Sequence, residues 1–171
     1  MPLHHEPEQV PKLPYRGHLI GMGYSGLHYL RRAVAFARQA PEEFCPLPEG
    51  EDVTSDLRVD EELFVRMDSH LICHSDCEGF YVPIDFPIPV YNDDLPGGCL
   101  GSSQRALAEI LLAAPLLGIP LEGEKLADEV AASIVQETED SHPYAIERQV
   151  WFTLHECLRH SIEYKCAVVF N

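Results

Sequence analysis

The strongest periodicity in the chain lies toward its C-terminus, where Ile146, Val150, Leu154, Leu158 and Ile162 recur every four residues with Trp151 alongside. Positions four apart share one helical face, so this stripe predicts an amphipathic helix, and Pro143 suits its first turn. Three weaker stripes predict further helices. Leu27, Leu30, Val34 and Ala37, with Phe36 nearby, mark one that Ser25 can cap and that ends before Pro41. Leu107, Ile110, Leu111 and Ala114 mark a second, opened by Ser102 or Ser103 and ended or kinked at Pro115. Leu126, Val130 and Ile134 place another across Leu121 to Glu137.

Strand material is shorter. The glycine-bounded run Gly17 to Gly23 suits a buried strand, and Leu63 to Met67 and His70 to His74 read as strands too. The next run, FYVPIDF, is aromatic and β-branched, with Pro83 arguing for an edge or a bulge. A turn at Ser75 to Gly79 would join it to the preceding strand as a β-hairpin, and the terminal KCAVVFN is β-prone enough to return to the sheet. Residues 1–16 are proline-rich and read as an extended arm, while residues 41–62 read as a long acidic surface loop. Together these elements predict a single α+β domain over residues 17–171, with a small, mainly antiparallel sheet packed against three or four helices.

Composition supports one self-sufficient core. The 171 residues are 46% hydrophobic, and a chain of that length buries roughly 70% of the surface its unfolded form exposes. Charge changes the picture more. Twenty-eight acidic residues against twelve basic ones leave a formal net charge of -16, which repels phosphate backbones and anionic lipid and favours a partner with a basic face. No segment approaches the length of a membrane-spanning helix, and the opening MPLHHEPEQVPKLPYRG lacks a cationic start followed by an apolar run. A cytoplasmic location with reduced thiols at the six cysteines follows as an expectation.

Ligand-type chemistry concentrates in Asp68 to Phe86, which holds two histidines, two cysteines and four carboxylates. His74, Asp76 and Cys77 offer metal donors, but Cys73 and Cys77 are four apart, and strand alternation would turn Cys73 away from His74. No cofactor is predicted, and a divalent metal remains the minority reading. Cys77 as a nucleophile is opposed by Asp76 and Glu78, which raise a thiol pKa. His155 to His160 fails the zinc-protease spacing by one residue, so Glu156 and His160 read as a solvated polar pair beside a partly buried Cys157. GMGYSG lacks the glycine placement of a phosphate loop.

Three blocks carry a likeness: Gly23-Tyr24-Ser25-Gly26 opening the first helix, Ser75-Asp76-Cys77-Glu78-Gly79 after a strand, and Trp151-Phe152 through Val168-Val169-Phe170. With these the chain resembles a family of uncharacterised bacterial and phage-borne proteins of unknown function. That resemblance implies no activity and so supplies no catalytic roles. The candidate binding residues are Tyr24, His74, Asp76, Cys77 and Glu78, and whether they line one cavity is the question a structure answers. The leading functional expectation is a small acidic binding or regulatory module, an inhibitor or immunity-type partner of a basic protein, binding neither nucleic acid nor membrane, with self-association left open. The rival is a metal- or thiol-dependent enzyme centred on His74 to Glu78.

Overall fold

The computed structural model describes residues 25–76 and 78–170. The arm at 1–16, the run at 17–23, Tyr24 and Cys77 lie outside the described residues. Among the described residues, five α-helices and two sheets make a single α+β arrangement: α1 Gly26–Gln39, α2 Leu57–Val65, α3 Ser103–Leu111, α4 Asp128–Gln136 and α5 Ala145–Tyr164, with β1 Phe80–Val82, β2 Val90–Tyr91, β3 Cys99–Ser102 and β6 Val168–Val169 in one sheet and β4 Leu121–Glu122 with β5 Lys125–Leu126 in another.

Helix α5 is the hub, as its four-residue stripe predicts. It packs against α1, α3, α4 and β1, and Val150, Trp151, Leu154 and Leu158 lie in the core with Leu30 and Ile110. Trp151 is fully buried and its indole N–H donates to the Ile110 carbonyl at 2.7 Å, so its polar edge is satisfied where water cannot reach. Lys165 closes the helix in the left-handed conformation, φ 57°. Helix α3 starts as expected, with Ser102 Oγ accepting from the Arg105 amide. Ser25 differs: its hydroxyl makes no cap, and its carbonyl accepts from the His28 amide instead.

The four-stranded sheet runs β2-β3-β1-β6. β1 pairs parallel with β3 and antiparallel with the returning β6, while β2 pairs antiparallel with β3. Most pairings are therefore antiparallel, but the expected hairpin at Ser75 to Gly79 does not form, because residues 70–74 are not a strand. Their backbone groups find side chains instead of a ladder. The His70 carbonyl accepts from Tyr81, the Leu71 and His74 carbonyls from Arg31, and the Cys73 carbonyl from Tyr91. The Glu109 carboxylate accepts from the His70 amide at 2.7 Å and from Ser69 Oγ. Every orphan so satisfied removes a reason to pair with β1. Pro83 sits just past β1, whose central place is held by three residues only.

Two other expectations change. Within 121–137 a two-stranded turn precedes α4, since Gly123 takes φ 67° between β4 and β5. In the acidic stretch, α2 begins at Leu57, capped by Asp56, and runs through most of the strand expected at Leu63 to Met67. This helix is inside out. Glu62 is its buried residue, held by Arg38 at 3.1 Å and Gln39 at 3.0 Å, while Leu57, Phe64 and Val65 face solvent, Phe64 with 84% of its surface exposed.

Candidate functional site

The turn that the sequence singles out is pinned to α1. Arg31 Nε donates to the Leu71 carbonyl at 3.0 Å, and its two terminal nitrogens donate to the His74 carbonyl and to Asp76. His28, one helical turn earlier, places Nε2 2.6 Å from the other Asp76 oxygen. Asp76 thus faces α1. His74 faces the core: it is buried, stacks on Tyr81 with ring centres 4.2 Å apart, and sets its nitrogens 2.9 Å from the Ser75 carbonyl and 3.4 Å from the Phe80 carbonyl. Gly101 makes room for this stack, because a Cβ there would stand 2.4 Å from the Tyr81 ring. Burial pulls the His74 pKa down against the opposing carbonyls, which keeps the imidazole neutral at pH 7. Glu78 is exposed. His74, Asp76 and Glu78 therefore point three ways, and no group of three His, Cys, Asp or Glu among the described residues converges on a metal-sized position.

The C-terminal polar group is buried rather than solvated. His155 stacks on Trp151 at 4.7 Å, and Glu156 and His160 are almost fully covered, with Arg159 reaching Glu156 at 3.4 Å. Cys157 is half-buried, and burial first and Glu156 second push its thiol up to about 11, so it is an unreactive thiol at neutral pH. The described cysteines are all free thiols.

What organises the surface is the placement of charge. Cations turn inward. Arg31 holds Asp76; Arg32 holds Asp56 at 2.7 Å and lies over the rings of Phe36 and Phe44; Arg38 holds Glu62; Arg148 holds Glu137 at 2.8 Å. Among the ten described lysines and arginines only Arg66, Arg105, Lys125 and Lys165 are exposed, against nineteen exposed carboxylates. Those carboxylates crowd three segments: Glu42 to Glu61, Glu122 to Glu129, and Glu139 with Asp140. Between the first and the last of these lies a cleft of about 270 Å³ that Glu49, Glu51, Glu139 and Glu147 line.

A protein-family model described as "Putative DNA-mimic protein" matches residues 1–170, the whole of the described fold included. The chain belongs to this family. No curated protein and no solved structure matches it. Exposed carboxylates concentrate in the acidic segments, whereas Asp76 in the Ser75 to Gly79 turn is taken up by Arg31 and His28. Sequence reasoning registered those segments as net charge and missed Glu49, Glu51, Glu139 and Glu147 as a set, because ninety residues separate its halves. The only sequence signal available was the excess of carboxylates over cations. No helix among the described residues is long and apolar enough to cross a membrane.

Proposed function

We propose that the protein is a DNA mimic that occupies the phosphate-binding face of a basic DNA-binding protein. The observation that carries this reading is the segregation of charge: arginines are consumed inside by selected carboxylates, and the carboxylates left over form a nearly uncompensated anionic exterior. Duplex DNA presents one negative charge per ~1.7 Å of axis, and proteins that bind it align Lys and Arg to those charges. A folded acidic surface offers the same partner the same electrostatic gain, with fast, salt-sensitive association.

The test uses the full chain on a solid support. Proteins eluted from DNA-cellulose by salt are passed over it at low ionic strength, and duplex DNA is then added as competitor. The expected result is retention of one or a few basic proteins, released by duplex DNA and by rising salt. Retention of none, or of proteins that duplex DNA does not displace, would sink the reading.

A further inference from the structure

The geometry points to a site of opposite sign: the pocket between the turn that follows α2 and the middle of α3 binds a small phosphate, either inorganic phosphate or a small phosphate monoester. This inference goes beyond the DNA-mimic reading and does not rest on it, since the ligand is a small anion rather than a basic protein.

Cations are scarce on the surface of this molecule, and two of them meet here. Of the four lysines and arginines exposed among the described residues, Arg66 and Arg105 line one pocket of about 240 Å³, and the partly buried Arg38 lines it as well. Two carboxylates, Asp68 and Glu109, stand against these three guanidiniums, so the lining is positive on a chain whose formal charge is -16. Glu109 is met by donors inside the wall: it accepts from Ser69 Oγ and from the His70 amide at 2.7 Å, and Arg38 lies 3.5 Å from it. Those bonds tie the turn to α3 and fix the shape of the pocket.

His70 is the group that calls for a ligand. It lines the pocket and is only 1% exposed. Its Nδ1 accepts from the Ser102 amide at 2.9 Å, and an accepting nitrogen carries no proton, so Nε2 of the neutral ring is an N–H donor. Burial holds the ring's pKa below its ordinary value, against the pull of the Pro87 and Phe86 carbonyls, which keeps it neutral at pH 7. Nε2 is nonetheless buried without a hydrogen-bond partner, so neither carbonyl stands where it can accept. Pro87 is itself part of the lining, which puts the flank of the ring that it meets on the pocket side. A buried donor left unmade is costly, and an entering acceptor removes that cost.

The donors select the anion. Arg38 comes from α1, Arg66 from the turn after α2 and Arg105 from α3, so they approach from three elements. A phosphate group offers acceptor oxygens on several sides and suits such a set, whereas a carboxylate has two oxygens in one plane and fits one guanidinium fork. The pocket volume is about eight times the ~30 Å³ share of a water molecule, which leaves space for a short ester substituent beside Ala108 and Leu112. The negative field of the whole molecule opposes the anion at a distance, but it is screened beyond about 10 Å in 0.1 M salt, and the contacting donors decide.

The experiment titrates the whole isotope-labelled protein at neutral pH and constant sodium chloride with inorganic phosphate, with glycerol phosphate and with acetate, following backbone amides and histidine ring nitrogens by NMR. Saturable shifts are expected at the Ser69, His70, Arg105 and Glu109 amides and at His70 Nε2, with Gly50 and Ile146 unmoved and acetate weaker by about tenfold. Tighter binding of glycerol phosphate identifies a phosphate monoester as the ligand, equal affinity identifies free phosphate, and both uphold the site. Arg66→Gln and Arg105→Gln, at exposed positions where folding is not at stake, should each weaken phosphate by about five- to tenfold. Shifts that never saturate, acetate bound as tightly as phosphate, a His70 Nε2 signal that does not move, or binding that survives both substitutions overturns the site.

Discussion

Arg31 and Arg32 are neighbours on α1, and the two regions they serve behave in opposite ways. Arg31 reaches the turn at residues 71–76 and leaves no charge unanswered there: Asp76 meets a guanidinium and an imidazole, and two carbonyls share the same arginine. Arg32 turns about 100° away around the helix, spends itself on Asp56 and the Cys45 carbonyl, and reaches Glu147 through its field, that carboxylate accepting from its own backbone amide. A carboxylate that is paired within the chain supports the fold. One that is buried and satisfied by a backbone amide alone among the described residues costs the fold stability.

The comparison breaks most visibly at Arg31. Arg31→Ala leaves a partly buried Asp76 and two unsatisfied carbonyls, so urea denaturation should show a loss of about 3 kcal/mol or more. Loss of less than about 1 kcal/mol would mean that the turn is not held by this residue. Glu147→Gln sharpens the contrast from the other side and should stabilise the protein by about 1 kcal/mol at pH 7. The sign follows from linkage. Folding raises the Glu147 pKa above its ordinary 4.5, so the parent loses stability as pH rises through that window, and the advantage of glutamine should disappear below it. A gain that persists at pH 3 would point to packing instead. The smallest effect belongs to a pair at the surface: Glu43, which Arg58 meets in solvent, should change stability by no more than about 0.5 kcal/mol when replaced by glutamine.

These contrasts also show how far the sequence could be read. Helices α1, α3 and α5 were legible because each buries one apolar stripe, and the return of Val168 and Val169 to the sheet followed from β-propensity after a long helix. Residues 70–74 were not legible, since they are buried with their backbone tied to Arg31, Tyr81, Tyr91 and Glu109, side chains that come from distant parts of the chain. Periodicity carries no trace of such partners. Helix α2 was hidden for a related reason: its apolar residues face out and its glutamate faces in, the reverse of the pattern that periodicity detects. Among the candidate site residues, the density of ligand-type groups at 68–86 was visible, but not that Arg31 and His28 would take up Asp76 or that Tyr81 would cover His74. The Glu49 to Glu147 cleft depends on tertiary contact alone.

The reversed orientation of α2 has a colloidal consequence. Leu57, Phe64, Val65 and Met67 are exposed, as are Asp60 and Glu61 of the same segment, on a molecule whose formal charge is -16. Two copies repel one another over a Debye length of about 10 Å in 0.1 M salt, well before these side chains could touch. A positively charged protein meets no such barrier and is drawn in. The field of the whole molecule therefore acts before any contact at these side chains can form, and salt or acid shortens its reach.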